Sequence, residues 1–204
     1  MRVLGLDLSV KPGFAVMDDG ELVQHGTRFE SKTDREIPPA IVHCEQEYHN
    51  MVRAERVAKF MAELAVQNSP DYIYIEQINL GKSRDTQKFI DFIHCHVLQA
   101  LEDAGYAQRV RYVDSSQWRS YCGLNMTKDQ RDHNKDVSNG IITGKITKKH
   151  LAVWWANKKF NLNLKMKDND AAEAIGIAHT GINRALQETQ NTIKSEDIDK
   201  ALSN

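Results

Sequence analysis

Cysteine is scarce in this chain, which has only three cysteines in 204 residues. Cys44, Cys95 and Cys122 are far apart, and no two of them form a Cys-x-x-Cys pair. This spacing argues against a disulfide framework and against a thiolate zinc site. Separated free thiols are typical of a protein in a reducing compartment, so we expect a cytoplasmic location.

Long hydrophobic runs are also missing. No apolar stretch reaches the ~18 residues that a membrane span needs, and the start of the chain lacks the apolar segment of a signal peptide. Hydrophobic residues make up 41% of the sequence, which suits one globular domain with its own core. We expect a single domain over residues 1–204, with a charged C-terminal tail from about residue 190, and no membrane partner.

Net charge of either sign is nearly absent, at −1 overall, but the charge is unevenly spread. The segment from Ile141 to Lys167 has seven lysines and no acidic residue. A lysine run is usually a solvated surface. Here acidic residues follow directly, and a basic block beside an acidic cluster suits a polyanion held against a metal site.

Acidic residues that end apolar runs are the main positive feature. Asp7 lies in a strand-like run near the start, Glu76 ends a second such run, and Asp170 and Glu173 open an apolar helix. A charged residue in a buried strand is costly unless it is paired or holds a metal. We therefore expect these carboxylates to converge.

A convergence of carboxylates from separate elements is typical of magnesium sites in phosphate chemistry. Magnesium prefers oxygen ligands, and two ions about 4 Å apart can activate water and stabilise the leaving oxygen of a phosphodiester. Asp170 and Glu173 are three residues apart and share a helix face. The sequence predicts a Mg²⁺ site, which Mn²⁺ can also fill, formed by Asp7, Glu76, Asp170 and Glu173.

Each of these acidic residues also has an ordinary interpretation. Asp170 and Glu173 have the spacing of a helix capping box, Asp7 could close a turn with Ser9, and Glu76 could end an edge strand. Each alternative is reasonable alone. Together they leave unexplained why every one of these residues lies at one end of an apolar run.

The local patterns predict a mixed sheet with helices packed on it. The predicted elements are strands at 2–8, 14–17 and 21–29, a helix at 40–67, a strand at 71–76, a helix at 85–104, a strand at 109–113, and helices at 115–121, 146–160 and 170–189. Residues 124–144 are almost free of apolar side chains and are predicted to be a mobile insertion.

Several of these segments, in this order, resemble the RuvC-type Holliday junction resolvases of the ribonuclease H-like superfamily. The matching segments are Leu4-Gly5-Leu6-Asp7-Leu8-Ser9, Gly13-Phe14-Ala15-Val16, Ile73-Tyr74-Ile75-Glu76-Gln77, Val113-Asp114-Ser115-Ser116-Gln117-Trp118-Arg119, and the helix from Asp170 to Ala178. The resemblance implies an α/β fold with a ribonuclease H-like mixed five-stranded sheet and helices on both faces. Asp7 and Glu76 match two of the family's acidic residues, and Asp170 and Glu173 match its Asp-Ala-Ala-Asp pair, with Glu173 replacing the last Asp.

The resemblance also implies a function: a magnesium-dependent endonuclease, usually a homodimer, that nicks symmetric strands of a four-way DNA junction. Lys148 or Lys149 lies where the family has a lysine, and Lys82 and Arg119 are further candidate phosphate contacts. For each lysine alone, a solvated surface role is the ordinary alternative.

One departure keeps the substrate open. Bacterial members have an aromatic residue just after the Glu-Gln pair, whereas this chain continues with Ile78. A ribonuclease H-like nuclease acting on flaps or RNA–DNA hybrids therefore stays an alternative, as does a non-catalytic junction-binding protein. A sugar-kinase or actin-like ATPase is disfavoured, because 204 residues with 11 glycines leave little room for a duplicated domain.

The apolar side of the 85–104 helix is a candidate dimer surface, through Phe89, Phe92, Ile93 and His96. The alternative is that this side packs on the sheet. The His94-Cys95-His96 segment is interpreted as core-flanking, because residues two apart on a helix face different directions.

Overall fold

The computed structural model describes residues 1–30, 44–78, 83–141 and 143–202, with side chains described as far as residue 188. The strands are β1 (Arg2–Asp7), β2 (Gly13–Asp18), β3 (Glu21–Thr27), β4 (Tyr72–Glu76) and β5 (Val110–Val113). The α-helices are α1 (Glu45–Asn68), α2 (Arg84–Asp103), α3 (Ser115–Tyr121), α4 (Lys128–Ser138), α5 (Lys148–Phe160) and α6 (Asn169–Leu202).

The strands form one mixed sheet in the order β3-β2-β1-β4-β5. The first three strands are antiparallel, and the hairpin between β2 and β3 turns at Asp19 and Gly20, which both have positive φ. An Asp-Gly pair favours this turn. The β1–β4 and β4–β5 pairs are parallel, so the carboxyl ends of β1 and β4 lie at the same edge of the sheet.

Helices cover both faces of the sheet. On one face, Leu4, Leu6 and Ile75 pack in a core with α1 and α2, and on the other face Val3 and Ala15 pack in a core that includes α6. Alternate residues of β1 therefore point to opposite cores, as the period of a strand requires. The predicted mixed five-stranded sheet with helices on both faces is confirmed.

Two glycines let α6 lie directly on the sheet. A Cβ atom on Gly5 would come within 2.5 Å of the Ala178 nitrogen, and one on Gly13 would come within 2.0 Å of the Asp170 carbonyl oxygen. Any larger residue would push the helix away. The close approach at Gly13, which pairs with Asp7 in the sheet, brings the first turn of α6 to the end of β1.

The segment predicted as a mobile insertion contains a helix. Thr127 and Gln130 form a capping box at the start of α4, and the Asn134 amide makes two hydrogen bonds to the backbone of Ile146, at 2.7 and 2.8 Å. None of the residues of α4 is buried. Its mobility stays a prediction.

Two helix boundaries differ from the predictions by more than two residues. The first helix begins at Glu45 rather than near residue 40, and residues 31–43 lie outside the described part of the chain. The last helix continues to Leu202 instead of ending near residue 189. No helix in the described residues is both long enough and apolar enough to cross a membrane.

The predicted dimer surface is wrong for two of its four residues. Phe89 and Ile93 are buried in the core between the sheet, α1 and α2. Phe92 packs against the same core, and only His96 faces outward, into a shallow groove between α1 and α2. The apolar side of α2 thus packs mainly inside this chain, and the dimer itself stays a prediction. His94 is buried and Cys95 exposed, which agrees with the core-flanking interpretation.

Candidate metal centre

Three carboxylates meet at the end of β1. Asp7 is the last residue of β1, Asp170 lies in the first turn of α6, and Glu173 follows three residues later on the same helix. One oxygen from each lies within 4.8 Å of the others, and all three residues are buried. The proximity follows from the fold, because the contacts at Gly5 and Gly13 seat α6 on β1 and β2.

Glu76 borders this cluster from the neighbouring strand. It ends β4, one position beyond the Leu6–Ile75 pair, and lines the same cleft as Asp7, Asp170 and Glu173. Its Oε2 accepts a hydrogen bond of 2.8 Å from the indole nitrogen of Trp118. The cleft therefore has carboxylates from three separate elements on its walls.

Asp7 is the least satisfied of the acidic side chains. Its Oδ2 atom is buried and has no hydrogen-bond partner among the described residues. Burial, and then the negative charges of Glu173, Glu76 and Asp170, raise the pKa of Asp7 well above its ordinary value. A buried carboxyl group in this situation is stabilised by a proton or by a bound cation, and a site made only of carboxylate oxygens suits Mg²⁺ or Mn²⁺. The residues present therefore fit a divalent ion.

Two cations contact the acidic cluster. The Arg119 Nη2 atom lies 2.8 Å from Glu173 Oε1 and 3.8 Å from Glu76 Oε2. The Lys149 Nζ atom lies 3.4 Å from Asp170 Oδ1. Both cations partly neutralise the carboxylates, because each lies within the range of an ion pair.

The structure places three of the four predicted phosphate contacts in the cleft. Arg119, Lys148 and Lys149 all line it. Lys82 lies outside the described residues. The cleft, about 470 Å³ in volume, therefore combines an acidic floor with basic residues from α3 and from the first turn of α5.

The three ordinary interpretations of the acidic residues do not fit the structure. Helix α6 begins at Asn169, so Asp170 is not the capping residue, and the Glu173 carboxylate binds Arg119. The turn at Ser9 uses the backbone oxygen of Asp7 and not its side chain. Glu76 ends an inner strand, because β4 lies between β1 and β5.

Two residues that line or support the cleft were not predicted as site residues in the sequence analysis. Trp118 orients Glu76, and His94 lines the cleft, where burial lowers its pKa to about 4. Trp118 lies within a segment that resembles the resolvases, which was the only sequence signal for it. Nothing in the local sequence of His94 separates it from an ordinary core residue.

Similar folds occur among solved structures, although no protein-family model and no curated protein sequence matches this chain. The structure of RuvC from Thermus thermophilus superposes with a TM-score of 0.62 and 16% identity, over 93% of this chain and 98% of that chain. T. thermophilus RuvC in complex with a Holliday junction substrate gives a TM-score of 0.62 and 15% identity, over 92% and 96%.

This chain has the RuvC fold. The agreement extends over nearly the whole length of both chains. At this level of identity the RuvC likeness establishes the fold and leaves activity to be argued from the site.

Proposed function

We propose that this protein is a divalent-metal-dependent endonuclease that cleaves branched DNA, with the four-way junction as its main substrate. The observation that carries the proposal is the buried cluster of Asp7, Asp170 and Glu173, in which one Asp7 oxygen has no partner among the described residues. A protein that only bound DNA would gain nothing from buried negative charge facing a polyanion.

The proposed ligands are Asp7, Asp170, Glu173 and, at the second wall of the cleft, Glu76. Magnesium bound there would supply an activated water and offset negative charge on the reacting phosphate. The chain contributes the orientation of these groups. Trp118 holds Glu76 by its indole hydrogen bond, and the sheet and α6 hold Asp7 and Asp170 at fixed positions.

The basic residues of the cleft support a nucleic-acid substrate. Lys148 and Lys149 begin α5 on the rim of the acidic cleft, where they can contact the phosphates on either side of a cleaved bond. Because RuvC has been solved with a Holliday junction, we infer a four-way junction here, with a homodimer that makes paired nicks. Three free thiols suit a protein of the cell interior.

A second substrate class is favoured by one residue. Ile78, which lines the cleft just after Glu76 and Gln77, is 38% exposed and aliphatic. An aliphatic side chain stacks less well on a base than an aromatic ring does. Weaker stacking would reduce discrimination between a four-way junction and a flap, a fork or an RNA–DNA hybrid.

The decisive experiment uses five labelled substrates: an immobile four-way junction, a flap, a fork, a linear duplex and an RNA–DNA hybrid, each with Mg²⁺ or with EDTA. Asp7→Asn and Asp170→Asn are compared with the control Asp129→Asn, since Asp129 is an acidic residue of α4 that does not line the cleft. We expect paired junction nicks that need metal, are lost in the two cleft variants and persist in the control.

The other outcomes separate the alternatives. Equal cleavage of all branched substrates would indicate a general debranching nuclease, and preferred cleavage of the hybrid would indicate a ribonuclease. Tight junction binding without any cleavage would contradict the nuclease proposal. Light scattering at micromolar concentration tests the dimer, since a monomer that also stays monomeric on the junction would contradict paired nicking.

A further inference from the structure

The Arg119 guanidinium lies inside the acidic cleft and not on its rim. Its side chain is 15% exposed, and its Nη2 atom lies 2.8 Å from Glu173 and 3.8 Å from Glu76. A single nitrogen therefore lies between a carboxylate of α6 and a carboxylate of β4. These are two of the four carboxylates to which the proposed function assigns the metal.

Helix α3 holds Arg119 in this position. The helix begins with a capping box between Asp114 and Gln117, and Trp118 is fully buried, so the backbone that carries Arg119 is well anchored. The Arg119 guanidinium lies over the Trp118 ring, 4.5 Å from its centroid, and the same indole donates to Glu76. Neighbouring residues of one helix thus position the cation and one of its acidic partners.

The contacts of Arg119 are incomplete for a structural ion pair. Its Nη1 atom donates to the Ser115 carbonyl oxygen at 3.3 Å, and its Nε atom is buried without a hydrogen-bond partner among the described residues. Buried guanidinium groups with a structural role usually have all their donors satisfied. The attraction of Glu76 and Glu173 therefore accounts for the position of Arg119 better than a satisfied hydrogen-bond network does.

We propose that Arg119 is a built-in counter-cation, which occupies the Glu76–Glu173 side of the cleft in the metal-free protein and must be displaced when a divalent ion binds there. This inference rests on the proposed function for the assignment of the metal ligands. It follows from space and charge, because a guanidinium and a divalent ion cannot share the gap between two carboxylates, and two cations at such a short distance repel each other.

The inference gives Arg119 two successive positions. A displaced guanidinium is still tethered to α3 and can stay stacked on Trp118, so it remains at the edge of the cleft. There it can contact a phosphate of the substrate, as the sequence analysis expected. Arg119 is therefore a positioning residue that sets the metal affinity of the Glu76–Glu173 side.

The experiment measures metal binding directly. The full-length protein is titrated with Mn²⁺ alone by calorimetry, and its melting temperature is recorded with EDTA and with Mn²⁺. Arg119→Gln removes the competing charge, and Arg111→Gln, an exposed residue of β5, is the matched control. We expect Arg119→Gln to bind Mn²⁺ about tenfold more tightly at the Glu76–Glu173 side of the cleft. Its melting temperature should be lower than that of wild type in EDTA and should rise more when Mn²⁺ is added. The control should equal wild type.

A folded Arg119→Gln variant with unchanged or weaker Mn²⁺ affinity would overturn the inference. If that variant does not fold without metal, Arg119→Lys decides. The lysine side chain is shorter and has a single ammonium group, so it contacts the two carboxylates less well than the guanidinium does. The Mn²⁺ affinity of Arg119→Lys must then rise several-fold, and an unchanged value would also overturn the inference. A wild-type protein that binds no Mn²⁺ and cleaves nothing would instead contradict the proposed function itself.

Discussion

At the scale of single residues, Asp7 shows what the acidic cluster costs the metal-free protein. Its pKa is raised, by burial first and then by Glu173, Glu76 and Asp170. At low pH both the folded and the unfolded chain hold this proton. As the pH rises above the ordinary value of ~4, the unfolded chain releases the proton first, and the folded state loses stability until the pH exceeds the folded pKa.

Replacing Asp7 with Asn should therefore stabilise the protein in EDTA. We expect about 1–2 kcal/mol near neutral pH, which is a melting temperature several degrees higher for a chain of this size. The gain should shrink as the pH is lowered towards ~4, and stabilisation by Mg²⁺ or Mn²⁺ should be lost. Melting curves over this pH range, with Asp129→Asn as the control, test the prediction. A lower melting temperature for Asp7→Asn at neutral pH would contradict it.

At the scale of secondary-structure elements, the position of Asp170 depends on how closely α6 approaches β2. Gly13→Ala would place a methyl group 2.0 Å from the Asp170 carbonyl oxygen, so the start of α6 has to move. We expect a loss of about 1–3 kcal/mol of stability, together with weaker stabilisation by metal. Thermal melting with and without Mn²⁺ measures both effects.

Gly26→Ala is the matched control for that substitution. Gly26 pairs with Phe14 across β2 and β3, and the added methyl group would meet the Phe14 ring instead of a backbone atom. The ring can tilt, so this variant should keep the metal response even if it loses some stability. An equal loss of the metal response in both variants would show that metal binding does not depend specifically on the close approach of α6 to Gly13.

Of the helices in the described residues, α4 should be the least protected from hydrogen exchange. It has no buried residue, and the hydrogen bonds of Asn134 to Ile146 connect it to the segment just before α5. We expect Asn134→Ala to abolish hydrogen-exchange protection in residues 128–138. The free energy of global unfolding, followed by the melting temperature, should change by less than about 1 kcal/mol. Unchanged protection would mean that other contacts hold α4, and the predicted mobility would then be wrong.

At the scale of the whole molecule, net charge explains little and charge distribution explains much. A chain with a net charge of −1 can bind DNA only through a local basic surface, and Lys148 on the rim of the cleft belongs to that surface. Lys148→Ala should weaken binding to every junction sequence alike and reduce the slope of log affinity against log salt by about 0.9. Lys158→Ala, near the other end of α5, is the control. Equal slopes for Lys148→Ala and wild type would remove Lys148 from the interface.

Local sequence patterns determined much of the architecture. A short apolar run around Asp7 predicted β1, the Asp-Gly pair favours the observed hairpin, and the 115–121 helix has the predicted bounds. These features depend on neighbours within a few residues, and such interactions can be read along the chain. The order of the elements predicted the mixed sheet with helices packed on it, and the resemblance to the resolvases implied that helices lie on both faces.

Only the tertiary structure decided which apolar helix faces are buried in the core and which charged side chains form ion pairs. The apolar side of α2 fits a core or a dimer surface equally well by sequence, and only the packing of α1 on α2 buries Phe89 and Ile93. Arg119 contacts Glu173, which lies 54 residues further along the chain. Ion pairs at such separation depend on how the helices pack on the sheet, because charge attracts over distance in space and not along the sequence. Residue types therefore predicted an acidic site, and packing decided that an arginine and a lysine of the same chain lie against it.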